Sequence, residues 1–327
     1  MRRALLVAAA LLLLAALWLA GPRAPAGGGS RGGLAPDAHP ARSYEEALRR
    51  VEALRAEDTP AVSAECGTRL LTHGARTRRV VVLLHGLTNC PAQFDSLARM
   101  AFRRGANVLV PRLPRHGLGD RMTGELARLD AVELRAFTDR VLDAAAGLGD
   151  SVTVAGLSIG GTLAAWAAQE RPGVDRAVLI APMLGVARAR GGWTPVVAHA
   201  FGALPNVFVW WDAHRKQDLP GPRHVYPRFA TRAVAAVLKV GWMVREDALR
   251  SAPACRSIAM ITVSGDLAVD NGLNAEVVSA WRRHGARDVE TYEFPAALHL
   301  NHDIVDPEQV GGAPAVTYPV LARLIGG

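Results

Sequence analysis

Residues 151–170 read SVTVAGLSIGGTLAAWAAQE. The stretch opens as a short β-branched run and closes as an alanine-rich helical pattern, with Ser158 between Gly156 and the pair Gly160-Gly161. That spells a strand ending at Ala155, a tight turn holding the serine, and a helix starting near Gly160. At so sharp a turn, glycines let neighbouring backbone approach where a Cβ would intrude. The serine oxygen then projects from the carboxyl end of its strand. The new helix aims its first N–H groups, and the positive end of its dipole, at whatever charge forms there. Taken alone, the same letters also fit a glycine-rich connection with no chemistry, so the rest of the chain must supply what a reactive serine needs.

The flanking sequence places the turn in a parallel sheet. Short apolar runs at 80–84 (VVVLL), 107–110, 151–155, 176–180, 258–263 and 288–292 read as strands. Helical patterns at 91–104, 130–147, 160–170 and 272–285 lie between them. Another helix runs from 43, where Ser43 is a candidate cap with Glu46 three residues on, to about Arg55. Strands with no polar face, alternating with helices, predict an α/β fold: a mainly parallel central sheet flanked by helices. The alternation breaks at 183–252, which reads as a mostly helical insertion without clear strands, carrying Trp193, Trp210, Trp211 and Trp242. The core then divides into 43–182 and 253–327.

A nucleophilic serine needs an oxyanion site, a base and a carboxylate that orients the base. The strand VVVLL ends at His85-Gly86, so the Leu87 amide is one candidate oxyanion donor. The Ile159 amide, next after the serine, is the other. His85 precedes the nucleophile beside that site and reads as structural, as does His116. After the 258–263 strand, SGDLAVDN offers Asp266 or Asp270 as the acid. After the 288–292 strand, FPAALHLNHDIVDP offers His299 or His302 as the base. Both segments follow strand ends, where the catalytic groups of parallel sheets gather.

In LLHGLT (83–88), GLSIGG (156–161), SGDLAVDN (264–271) and HDIVDP (302–307), the chain resembles serine hydrolases of the α/β-hydrolase fold, in the monoacylglycerol lipase and carboxylesterase branch. The resemblance covers about residues 78–325 and puts the 183–252 insertion in the place of a helical cap. It implies Ser158, Asp266 and His302 as a catalytic triad hydrolysing carboxylic esters through an acyl-enzyme, with no metal or other cofactor. It also implies an acyl pocket under the cap, for which Trp193, Trp210, Trp211, Phe201 and Phe208 are candidate lining. A serine peptidase or an acyltransferase of the same fold, or a non-catalytic tethered binding module, are the alternatives.

The ends and the charges bound the setting. Arg2 and Arg3 precede an uncharged apolar run from Ala4 to Ala20, the pattern of a signal peptide or a membrane anchor at residues 1–20. The Gly-, Pro- and Ala-rich residues after it read as a flexible linker over 21–42. An extracytoplasmic location follows, secreted or tethered to the membrane through residues 4–20. Net charge is +8, almost all from scattered arginines, since Lys216 and Lys239 are the only lysines. No concentrated basic stripe of the kind that binds nucleic acid is present. The cysteines are Cys66, Cys90 and Cys255, with no CxxC pair of zinc-site type. Outside the cytoplasm Cys66 and Cys90 are candidates for a disulfide, leaving Cys255 as a buried thiol.

Overall fold

A computed structural model of the chain describes residues 33–189 and 193–326. The apolar run Ala4–Ala20, and the linker up to residue 32, lie outside the described residues. Residues 33–42 depart from the expected free linker, because they are docked on the body. Leu34 and Ala41 are buried, and the Leu34 carbonyl accepts the indole N–H of Trp166. The backbone N–H groups of Asp37 and His39 donate to the carboxylates of Asp139 and Asp143, each at 2.9 Å. Composition marks this segment as loose, but these carboxylates supply specific acceptors.

The first helix, α1 (Tyr44–Arg55), is capped as its sequence predicts, with the Ser43 hydroxyl accepting from the Glu46 N–H. Strands β1 (Arg69–Leu71) and β2 (Thr77–Leu84) follow, then α2 (Asp95–Arg103), β3 (Asn107–Val110) and α3 (Ala131–Leu148). Next come β4 (Gly149–Leu157), α4 (Ile159–Glu170) and β5 (Arg176–Ile180). The sheet order is completed by β8 (Ser257–Val263) and β9 (Asp288–Phe294), giving β1-β3-β2-β4-β5-β8-β9. Only β1 runs antiparallel to its neighbour; every other pairing in this sheet is parallel. The central strands are buried along their mainly apolar stretches, Val80–Leu84 of β2 and Val152–Leu157 of β4, as such runs require. Helices α2 and α8 (Pro314–Gly326) pack on one another. A second connected layer joins α1, α3, α4, α6 (Thr231–Ala248) and α7 (Asn271–Arg283).

The 183–252 segment is not uniformly helical. After α5 (Thr194–Ala203), strands β6 (Phe208–Trp210) and β7 (Arg228–Ala230) pair into a two-stranded antiparallel ribbon. Each strand is three residues long, too short to register as an alternating pattern. The long helix α6 that ends this segment packs against α4, directly behind the serine turn. Its Gly241 meets the Leu184 backbone, an approach that a Cβ would block.

Candidate active site

Ser158 sits between β4 and α4 with φ 57° and ψ −113°, a backbone conformation that L-residues adopt only under constraint. The constraint is visible. Its N–H donates to the Ile180 carbonyl at 2.9 Å, and its carbonyl accepts from Thr162 and Met183. A Cβ on Gly156 would overlap the Gly160 carbonyl, and one on Gly160 would overlap the Leu84 carbonyl. The two glycines are thus sterically required, and they force the serine outward at the sheet's carboxyl edge.

Asp266, after β8, and His302, after β9, meet at the same carboxyl edge of the sheet. His302 Nδ1 lies 2.7 Å from Asp266 Oδ2. With Nδ1–H donated to the carboxylate, the ring's Nε2 carries the lone pair and is available as a base. Asp266 Oδ1 accepts the N–H groups of Ala268 and Val269. Burial pushes the Asp266 carboxyl up, but the hydrogen bond and charge of His302 and the two backbone donors outweigh it, so its pKa falls below the ordinary 3.8. Asp270 instead caps α7, accepting from Gly272 and Leu273. His299 is exposed in a left-handed turn. The structure therefore joins Asp266 to His302 and separates both from the alternatives. Among the described residues no hydrogen bond joins the Ser158 hydroxyl to His302. Such bonds commonly tighten only when substrate binds.

The turn His85–Cys90 faces the serine from β2, which is paired with β4. Gly86 is held at both of its backbone groups. Its N–H donates to Gln93 Oε1 at 2.8 Å. Its carbonyl accepts from His85 Nδ1 at 3.0 Å and from the Asn89 N–H at 3.2 Å. In a trans peptide the next N–H points opposite to that carbonyl, so the Leu87 amide is aimed away from these partners. Neither the Leu87 nor the Ile159 amide has an acceptor among the described residues. His85 is fully committed, since its Nε2 accepts the Leu113 N–H at 3.0 Å. Burial, then the neighbouring His116, hold its pKa well below the ordinary value. Burial likewise lowers His116 to about 4. Both imidazoles are neutral struts rather than bases.

Other segments grip the same turn. Thr88 takes φ 68°, and its carbonyl accepts the Tyr226 N–H at 2.9 Å. Trp211 Nε1 donates to Thr88 Oγ1 at 3.0 Å. Cys90 is joined to Cys66 by a disulfide, and both half-cystines are buried. Cys255 is a buried free thiol. Of the other tryptophans, Trp210 stands half-buried in β6 with the Arg228 guanidinium 5.7 Å from its ring centre, and Trp193 is exposed at the start of α5.

Three polar residues escape a reading of the sequence. Asp303, next to His302, accepts from Gln93 Nε2 at 2.7 Å and from Asn89 Nδ2 at 3.4 Å. Burial pushes its carboxyl above the ordinary range. Gln93 and Asn89 are buried polar side chains right after the His85-Gly86 turn, which is the one signal their positions offer. Among the described residues no cluster of histidine, cysteine and carboxylate side chains could hold a metal ion.

A thermostable monoacylglycerol lipase from Bacillus sp. (strain H-257) is 29% identical over 148 residues, covering 42% of this chain. The matched part spans 56% of that relative's length. The structure of a Paleococcus ferrophilus monoacylglycerol lipase superposes with a TM-score of 0.59 at 18% identity, over 79% of this chain and 98% of that one. A soluble variant of Saccharomyces cerevisiae monoglyceride lipase, solved with a substrate analogue, gives 0.59 at 13% identity, over 79% and 90%. These likenesses show the α/β-hydrolase fold. The pattern that defines the serine aminopeptidase S33 family matches residues 75–251, more than half of the chain, and includes both the His85-Gly86 turn and Ser158. The chain belongs to that family of α/β hydrolases.

Proposed function

We propose that the protein is an exported serine hydrolase that cleaves carboxylic esters of the esterase or monoglyceride-lipase type through an acyl-enzyme. The observation that carries this reading is the 2.7 Å pairing of Asp266 with His302 on the sheet edge where Ser158 is held at positive φ. His302 Nε2 takes the Ser158 proton as the hydroxyl oxygen attacks the ester carbonyl. Asp266 fixes the tautomer and stabilises the imidazolium that forms. The Leu87 and Ile159 amides receive the oxyanion, an interaction made in the transition state rather than in the ground state. His302 returns its proton to the leaving alcohol, and water attacks the acyl-enzyme with the same base. The reaction needs no cofactor.

The segment 183–252 supplies the cap in this reading, with Trp193, Trp210 and Trp211 lining the way to the serine. Apolar, aromatic lining favours an acyl chain over a charged substrate. The lipase names of the relatives support the same class. Export is supported by the basic start and apolar run at residues 2–20 and by the Cys66–Cys90 disulfide, a bond that persists in oxidising compartments. The family's aminopeptidase description favours a second reading, cleavage of an N-terminal residue by the same triad.

The purified protein should be assayed on p-nitrophenyl esters of increasing chain length, a monoacylglycerol, and aminoacyl p-nitroanilides. Turnover of the esters, lost in Ser158→Ala, is expected. Turnover of the anilides alone would replace the esterase reading with the peptidase one.

A further inference from the structure

The base loop and the oxyanion turn belong to segments far apart in the chain, yet one hydrogen-bond chain runs between them. Asp303 Oδ1 accepts the Val305 and Asp306 N–H groups, each at 3.0 Å. Its Oδ2 accepts from Gln93 Nε2 and Asn89 Nδ2. Four donors on two oxygens leave no place for a proton, so Asp303 is a pure acceptor here. That fixes which way the Gln93 amide faces. With Nε2 toward Asp303, Oε1 must face the Gly86 N–H, and it does at 2.8 Å. A reversed amide would set Nε2 against a backbone donor.

We propose that Gln93 and Asp303 are positioning residues whose directed chain, Asp303 to Gln93 to the Gly86 N–H, locks the oxyanion turn in register with the loop that carries His302. The inference rests on the hydrolase reading above. It explains why a polar side chain as deeply buried as Gln93 sits at the foot of this turn: an apolar residue there would leave the Gly86 N–H and the Asp303 carboxylate unpaired. It also gives the strained turn at Thr88 a fixed reference besides its own strand. The consequence falls on the transition state. A turn that wanders by a fraction of an ångström still binds substrate, but it presents the Leu87 amide poorly to the oxyanion.

The polarity of the chain supplies the test. Asp303→Asn puts an amide where an acceptor is needed, so its new N–H₂ group opposes Gln93 Nε2. Gln93→Glu puts a carboxylate against the Asp303 carboxylate. In the double variant, the amide introduced at position 303 donates to the carboxylate introduced at position 93. That carboxylate still accepts from the Gly86 N–H, so the links from position 303 to Gly86 are rebuilt and only the 3.4 Å bond from Asn89 Nδ2 is lost. Rates of p-nitrophenyl ester hydrolysis, counted per serine titrated by a fluorophosphonate, should fall about tenfold or more in kcat for each single variant, with KM little changed. The double variant should recover most of that loss. Gln93→Leu, which removes both bonds without adding charge, serves if a charged single variant does not fold, and should lose kcat in the same way. Single variants or Gln93→Leu with wild-type kcat would overturn the proposal, as would a double variant no better than its parents. A wild type that takes no fluorophosphonate and hydrolyses no ester would instead overturn the hydrolase reading itself.

Discussion

At the scale of single residues, the two aspartates of SGDLAVDN have separable consequences. Asp266 holds His302, whereas Asp270 holds the start of a helix. Asp266→Asn keeps the shape but offers His302 the wrong tautomer, and kcat should drop by about 10⁴-fold, read in a steady-state ester assay. Asp270→Ala should leave kcat nearly unchanged and cost about 1 kcal/mol of stability, read by urea unfolding. Asp266 also links stability to acid. Its pKa in the fold lies below the ordinary 3.8, so folding favours its ionised form. That contribution is complete above the ordinary value and is lost as pH falls through the lowered one. The stability gap between wild type and Asp266→Asn should therefore narrow as urea unfolding is repeated at pH values descending below 3.8. The residues alone leave the two aspartates open, because each follows the same strand and has the same chemistry, and the sequence points to Asp266 only through the resemblance to the hydrolase branch. Only the point where α7 begins, Asn271, assigns one of them to capping.

At the scale of elements, the strand–turn–helix around Ser158 is legible because sterics leave one solution. The glycines at 156 and 160 are spaced so that each fills the gap against a backbone carbonyl. Gly160→Ala should destabilise the fold by more than about 3 kcal/mol, since backbone rather than a movable side chain stands in the way, and thermal unfolding of the purified variant checks it. The buried strands are equally plain, Val80–Leu84 above all, because a five-residue apolar run rich in β-branched residues is too short for a buried helix. Strand β1 (Arg69–Leu71) is not legible. It is three residues long, and its partners Val108–Val110 lie far along the chain, so nothing local announces it. The β6–β7 ribbon is hidden for the same reason, and the tryptophans that draw attention there play unlike parts. Trp211 bonds Thr88 in the His85–Cys90 turn, while Trp210 pairs with Arg228. Gln93 and Asp303 are 210 residues apart, a contact beyond what any window of sequence displays.

At the scale of the whole molecule, the His85–Cys90 turn is where separate parts of the chain converge. The Cys66–Cys90 disulfide ties it to the segment before β1, Tyr226 and Trp211 bind it from the 183–252 segment, and Asp303 reaches it from the base loop. The disulfide closes a sequence separation of 24 residues. Loss of that cross-link, in Cys66→Ala/Cys90→Ala, should cost about 3 kcal/mol in urea unfolding and lower kcat as well, because one of its ends lies in the turn. Reduction of the wild type with dithiothreitol should reproduce both effects, and an unchanged kcat would show that the turn keeps its shape without the bond. In the proposed mechanism all these supports serve one reactive serine activated by His302. The most direct measurement is labelling with a fluorophosphonate probe, with the modified residue located by mass spectrometry, in wild type and in His302→Ala. Stoichiometric modification at Ser158 is expected in the wild type, with labelling slowed by orders of magnitude in His302→Ala. An unlabelled wild type, a modification mapped to another serine, or unchanged labelling without His302 would contradict the mechanism.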